Sequence, residues 1–256
     1  VKIVVCIKQV PARDSLLRVD PSAAWIQEAD LTHEINEPDA YALEEALQLK
    51  EKHGGEVVVL CAGPAGAAQT IREALAKGAD RAIHVEEENL GRLDPLALAR
   101  LMAAALRAER PDLVLTGLQS DDLGYGQTGV ILAEVLGLPH ATIIMQVEKQ
   151  DSGIRVKREL EDGWFQHVDM PLPALVTIQS GINKLRYATL MGIKKAKSKE
   201  VKRITAAELS VAPGASIRLE RMYPPEKSKH TQMLDGTPKE AAAKLVEKLK
   251  FEVRVL

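Results

Sequence analysis

Residues 117–129 read GLQSDDLGYGQTG, with Gly124, Gly126 and Gly129 spaced as G-x-G-x-x-G and two carboxylates, Asp121 and Asp122, just ahead of them. The apolar run LVLT precedes this stretch and the helix-like VILAEVLG follows it. A glycine-rich turn before a helix can present free backbone N–H groups to an anion, and the helix dipole favours negative charge at that point. Gln127, Thr128 and Gly129 would supply the donors, and Thr128 would add a hydroxyl. The aspartates cannot meet a phosphate directly, but they suit ribose or base hydrogen bonds, or helix capping. The competing reading is a turn whose glycines only permit a left-handed backbone.

Two familiar phosphate motifs do not fit. A dinucleotide fingerprint follows the first strand of a βαβ unit, with an acid about twenty residues on for the ribose. Here the first strand runs into QVPARDS, which has no glycine, and the glycine loop follows the fourth major strand. Glu148 lies at a suitable distance but ends a strand in the charged patch VEKQD. No Gly-Lys-Ser/Thr follows the glycines, so a Walker loop is excluded. A mononucleotide needs only one helix N-terminus. The loop's place at the carboxyl end of a strand favours that ligand over a bare turn.

Other candidate chemistry is sparse. Cys6 and Cys61 lie inside apolar runs, as small buried thiols do. The six histidines (His33, His53, His84, His140, His167, His230) show no metal-ligand or catalytic spacing and read as solvated or hydrogen-bonded in place. No nucleophile–base pair stands out. A net charge of −2 gives no general attraction to nucleic acid or anionic membrane, and 3% aromatic residues offer few stacking platforms for single strands. VKIVVCIKQV reaches Lys8 too soon for a secretory core, and no apolar run approaches a membrane span. The expected compartment is reducing, the bacterial cytoplasm.

The elements that must position these residues alternate through the first half. KIVVCIK reads as a strand covered on both faces, and residues 38–55 as an amphipathic helix stopped by Gly54, with Asn36 or nearby acids serving its N-terminus. EVVVLCAG, RAIHVE, DLVLTG and ATIIMQVE are further strands. AAQTIREALAKGAD and DPLALARLMAAALRAER are helices, the latter with Asp94 as cap and Pro95 in its first turn. This pattern predicts an α/β fold with a doubly wound, mostly parallel, Rossmann-like sheet whose ligand would sit at the carboxyl strand ends. Those ends are 7–10, 61–64 and 117–122. Later, Asp162-Gly163 between strand-like runs predicts a hairpin insertion, and PLPALVTIQS a buried strand. Residues 183–203 are lysine-rich without periodicity, and an extended C-terminal arm ends in a helix over 238–250. The expected organisation is a nucleotide-binding domain over 1–182, a loop over 183–203, and an arm over 204–256.

VKRELEDGWFQHVDMPLPALVT (156–177) resembles the signature of the β (small) subunit of electron-transfer flavoproteins, with Arg158, Glu161, Asp162-Gly163, Gln166, Val168, Pro173 and Leu175-Val176-Thr177 in place. RYATLMGIKKAK, VVCIKQVP, EINEPDAYALEEALQLKE, CAGPAGAAQTIREALAKGADRAIHV and the glycine loop are similar to the family as well, to about Ser198. The resemblance implies an electron carrier, not an enzyme. It would pair with an α subunit that holds FAD, accept electrons from dehydrogenases such as acyl-CoA dehydrogenases, and pass them to a membrane quinone oxidoreductase. It also implies a structural AMP in this chain. The base would lie near Cys6, Asn36, Glu37, Pro38, Asp39 and Ala62. Phosphate and ribose would meet Gly117, Leu118, Gln119, Ser120, Asp121, Asp122, Leu123, Gly124, Tyr125, Gly126, Gln127 and Thr128. The lysine-rich stretch, a solvated loop by charge alone, becomes a partner-docking loop with Leu190 as anchor among Tyr187, Met191 and Ile193, rimmed by Lys194 and Lys195. Alternatives are a bifurcating flavoprotein with a second FAD in place of AMP, or an adenine-nucleotide hydrolase, ligase or sensor domain. QTG and DDLGYG favour AMP over the second flavin, and QVPARDS lacks the pyrophosphate loop a hydrolase would need.

Overall fold

In a computed structural model, the chain is described over residues 1–22, 24–88, 90, 93–211, 214, 216–225 and 231–255. His230 and part of the expected arm lie outside the described residues. Among the described residues, eleven strands and six α-helices follow in order: β1 (Lys2–Ile7), β2 (Gln9–Pro11), β3 (His33–Ile35), α1 (Glu37–His53), β4 (Glu56–Gly63), α2 (Ala68–Lys77), β5 (Arg81–Glu86), α3 (Pro95–Glu109), β6 (Leu113–Gly117), α4 (Thr128–Leu136), β7 (His140–Gln150), β8 (Gly153–Glu159), β9 (Phe165–Pro171), β10 (Ala174–Ile178), α5 (Leu190–Ala196), β11 (Val201–Thr205) and α6 (Pro238–Lys248). The compact units are Val1–Arg221 and Met222–Leu256.

The first unit is the α/β fold. Its nine-stranded sheet has the order β11-β5-β4-β1-β6-β10-β7-β8-β9, parallel as far as β7 and antiparallel over the last two pairings. KIVVCI, EVVVLCAG, LVLTG and ALVTI are buried almost throughout because helices cover both faces. One cluster joins these strands to α1 and α2, the other to α3 and α4. Each fully buried Val, Leu or Ile contributes about 1.5–3 kcal/mol, and the two clusters together supply the folding drive. From β1 the chain winds outward through β4 and β5, then crosses to β6 on the other side. The carboxyl ends of β1 and β6 therefore flank the point where the winding reverses, the usual ligand crevice of such sheets.

The expected hairpin is present: β8 and β9 pair antiparallel around a tight turn at Glu161–Gly163, where Asp162 and Gly163 both take positive φ. Asp94 caps α3 through Ala97 N, at 2.8 Å. Residues 183–203 differ from the unpatterned loop read in the sequence. They contain α5 and the edge strand β11, paired with β5. A seven-residue helix is too short to show periodicity and depends on tertiary contacts instead. In the second unit, Thr237 and Glu240 form a capping box on α6, and no residue of that helix is buried within the chain.

Candidate nucleotide site and docking helix

Asp39 organises the crevice. Its Oδ2 accepts from Lys8 N at 2.8 Å and its Oδ1 from Gly117 N at 2.9 Å, so one carboxyl joins the ends of β1 and β6 to the first turn of α1. Gly117 must be glycine, since a Cβ there would collide with Asp39 Oδ1 and the Pro38 ring. Burial pushes the Asp39 carboxyl up to about 7 against the two N–H donors, Asn36 and the Lys8 charge, which hold it down.

Asn36, one of the groups expected to serve the start of α1, stands at its N-cap position but makes no side-chain cap, while the acids Glu37 and Asp39 lie in the first turn. The carboxamide is spent on the glycine loop instead. Nδ2 donates to Gln119 O, and Oδ1 accepts from Asp121 N, both at 2.9 Å. Beyond them Gly124 and Gly126 adopt φ of 62° and 63°, a left-handed turn that L side chains avoid. Leu123 and Tyr125 stand exposed on the rim.

The loop delivers the chain to α4. Gln127, at the N-cap position, makes no side-chain cap, so the leading N–H groups of α4 have no intrahelical partner. Thr128 is the first helical residue. Gly129 is pressed against the Thr116 hydroxyl and the Thr177 methyl, where a Cβ would sit 2.6 and 2.7 Å away. The acids are compensated: Lys8 Nζ donates to Asp122 at 2.6 and 2.7 Å, while Arg13 pairs with Glu37 and lies 4.0 Å from Asp121. Lys8 and Arg13 were not singled out from the sequence, although a lysine ending an apolar strand is a visible signal. The remaining expected residues fall on strand ends: Cys6 on β1 and Ala62 on β4, both buried. Burial and the Asp39 charge push the Cys6 thiol up, and burial takes Cys61 up to about 12, so neither is a thiolate nucleophile at neutral pH. His84 is fully buried, with Nε2 3.1 Å from Gly63 O.

This donor set suits one phosphoester. The leading N–H groups of α4 carry no side-chain cap, Gly124 has no atom within 4 Å of where a Cβ would stand, and Asp122 is paired with Lys8.

The residues expected to dock a partner lie elsewhere, on and before α5. Thr189 caps this helix through Gly192 N at 3.0 Å. Leu190 is 88% exposed and Tyr187 94%, with Met191, Ile193, Lys194 and Lys195 also at the surface. The helix is nonetheless firmly mounted on α2. Gly192 rides so close to Ala76 O that a Cβ would collide with it. Arg72 Nη1 donates to Ala196 O at 2.6 Å and to Lys199 O at 3.0 Å, and Lys199 Nζ returns to Leu75 O and Ala79 O at the end of α2.

Comparison with known proteins places this architecture. A model of the electron transfer flavoprotein domain matches residues 24–209. The chain is 37% identical to the electron transfer flavoprotein subunit beta of Methylophilus methylotrophus, covering 96% of this chain and 97% of that one. It is 38% identical to the protein of the same name from Bradyrhizobium diazoefficiens over the full length of both, and 35% identical to that of Clostridium acetobutylicum over 98% of each. With a doubly wound sheet, an open loop at its switch point and identity along the whole length, the chain belongs to the beta-subunit family of electron transfer flavoproteins.

Proposed function

We propose that this chain is the AMP-holding half of a heterodimeric electron carrier. An α subunit would hold most of the FAD, which supplies the redox chemistry when bound. No catalytic residue is assigned to this chain. Electrons would come from flavin dehydrogenases such as the acyl-CoA dehydrogenases of fatty-acid β-oxidation and leave to a membrane quinone oxidoreductase. The setting would be the bacterial cytoplasm, and the arm over 204–256 would lie on the α subunit.

The observation behind this reading is the crevice mouth where Asp39 and Asn36 fix the loop and α4 opens without a cap. There the leading N–H groups of α4 and the Thr128 hydroxyl would receive the phosphate. Asp121 and Gln127 would meet the ribose, and the adenine would lie towards Cys6, the 36–39 turn and Ala62. Lys8 keeps Asp122 from repelling the anion. Leu190 would plug a pocket on the dehydrogenase, an apolar anchor within a lysine rim.

Denaturing the purified heterodimer should release FAD and AMP in equal amounts. Two FAD and no AMP would move the protein to the bifurcating branch. FAD alone would sink the nucleotide reading of residues 117–128.

A further inference from the structure

Arg186 lies four residues before Leu190, and its guanidinium is planted on α1. Nε and Nη2 donate to Glu44 at 2.7 and 3.0 Å, and Nη1 donates to Glu51 at 2.6 Å. The backbone N of Arg186 also reaches Glu44, at 3.3 Å. Three residues upstream, Asn183 Nδ2 donates to Glu45 Oε2 at 3.0 Å and to Tyr41 O at 3.2 Å. Glu44 and Glu45 are buried. A carboxylate in that position is costly unless a partner satisfies it, and a two-pronged guanidinium satisfies Glu44 in one fixed orientation. Gly192, Arg72 and Lys199 hold α5 on its far side. Tyr187 and Leu190 thus project from between two clamps, one on α2 and one on α1.

We propose that Arg186 is a positioning residue for dehydrogenase docking: by gripping Glu44 and Glu51 on α1 it presents Leu190 and Tyr187 in a fixed, preorganised place. The inference rests on the docking role of Leu190. Preorganisation removes the ordering cost that a loose loop would bear at each encounter. Lysine cannot substitute fully, because an ammonium has no planar fork to span both acids.

The test is steady-state reduction of the α/β heterodimer by an acyl-CoA dehydrogenase, comparing wild type, Leu190→Ala, Arg186→Gln, Arg186→Lys and the double variant Leu190→Ala/Arg186→Gln. Arg186→Gln should raise the KM for the heterodimer about tenfold with kcat little changed, as misplacement of a contact far from the chemistry does. Arg186→Lys should fall between Arg186→Gln and wild type. In the Leu190→Ala background the arginine change should cost clearly less than in the wild-type background, because most of its effect passes through that leucine. A full additive loss, or a wild-type KM for Arg186→Gln, overturns the positioning role. If Leu190→Ala itself reacts like wild type, the docking reading fails instead, so the two failures are distinguishable. Should Arg186→Gln unfold the heterodimer, Glu51→Gln carries the test. That carboxylate is exposed and holds the other side of the same guanidinium. A raised KM at unchanged melting temperature supports the proposal, and an unchanged KM overturns it.

Discussion

Thr128 is the first residue of α4, whose leading N–H groups have no partner within the helix. Thr128→Val keeps the shape and removes a donor that would face a charged phosphate, a loss of about 1.5–3 kcal/mol. AMP should be lost on mild dialysis and subunit assembly should weaken, while the flavin spectrum of assembled heterodimer stays the same. Full AMP retention would remove Thr128 from the site. Asp39 makes a different prediction. Its folded value, about 7, lies above the ordinary 3.8, so the native state binds the proton more tightly than the unfolded chain. Its contribution to stability is whole below about 3.8 and declines as pH rises to about 7, at up to roughly 1.4 kcal/mol per pH unit. Asp39→Asn abolishes that slope, although it leaves one backbone N–H without an acceptor. The difference in urea midpoint between wild type and variant should therefore change between pH 4 and 7. A constant difference across that window would contradict the buried, titrating carboxyl.

Among the elements, α5 shows how a short helix can be both exposed and rigid. Its outward residues contribute little to the core, so Leu190→Ala should leave thermal stability, FAD and AMP unchanged. Electron transfer from the dehydrogenase should weaken by roughly 1–3 kcal/mol of complex stability, the worth of one buried leucine in a pocket. Replacing Lys194 and Lys195 with glutamine should act mainly on association rate and its salt dependence, as rim charges do. Gly192→Ala differs from both. The new methyl meets Ala76 O, which belongs to α2 and cannot swing away, so α5 must shift. We expect lower stability by about 1–3 kcal/mol together with impaired docking, read by calorimetry and by steady-state reduction. An alanine variant with wild-type melting and wild-type kinetics would show that the contact is not tight in solution.

Across the whole molecule the two units differ in how much they bury. Unit 1 has apolar clusters on both faces of its sheet, whereas Met233, Leu245, Val246, Phe251, Val253 and Val255 of unit 2 are exposed. A capping box sets where α6 begins, but a helix none of whose residues is buried has little to hold it in place. Limited proteolysis of the chain without its partner should cut within 222–255 first and leave a resistant fragment ending near Arg221. In the heterodimer the same bonds should survive if these apolar side chains lie on the α subunit. Equal cleavage in both states would remove the arm from the subunit interface.

Much of the fold was legible in the residues alone. KIVVCIK reads as a strand covered on both faces, EVVVLCAG and DLVLTG as strands and PLPALVTIQS as a buried strand, and Gly54, Asp94 and Asp162-Gly163 mark a stop, a cap and a hairpin that the structure contains. These signals are local: periodicity reports which face is apolar, and a turn residue reports its own backbone. The glycine loop was visible for the same reason. Other features depend on which strands become neighbours. Asn36 or the nearby acids are expected to serve the start of α1, and the Asn36 carboxamide reaches instead to Gln119 and Asp121 on the glycine loop. Lys8 meets Asp122 114 residues away, and Arg186 meets Glu44 142 residues away. Such partners come together only once β1 lies between β4 and β6 and α1 packs along that sheet. Local pattern therefore sufficed for the buried strands, the main helices and the glycine loop, but not for β2, β3, α5 and β11, which are too short to carry a periodicity. The long-range clamps that aim Asp39, Lys8 and Leu190 are set by sheet order, which brings distant side chains within hydrogen-bonding reach.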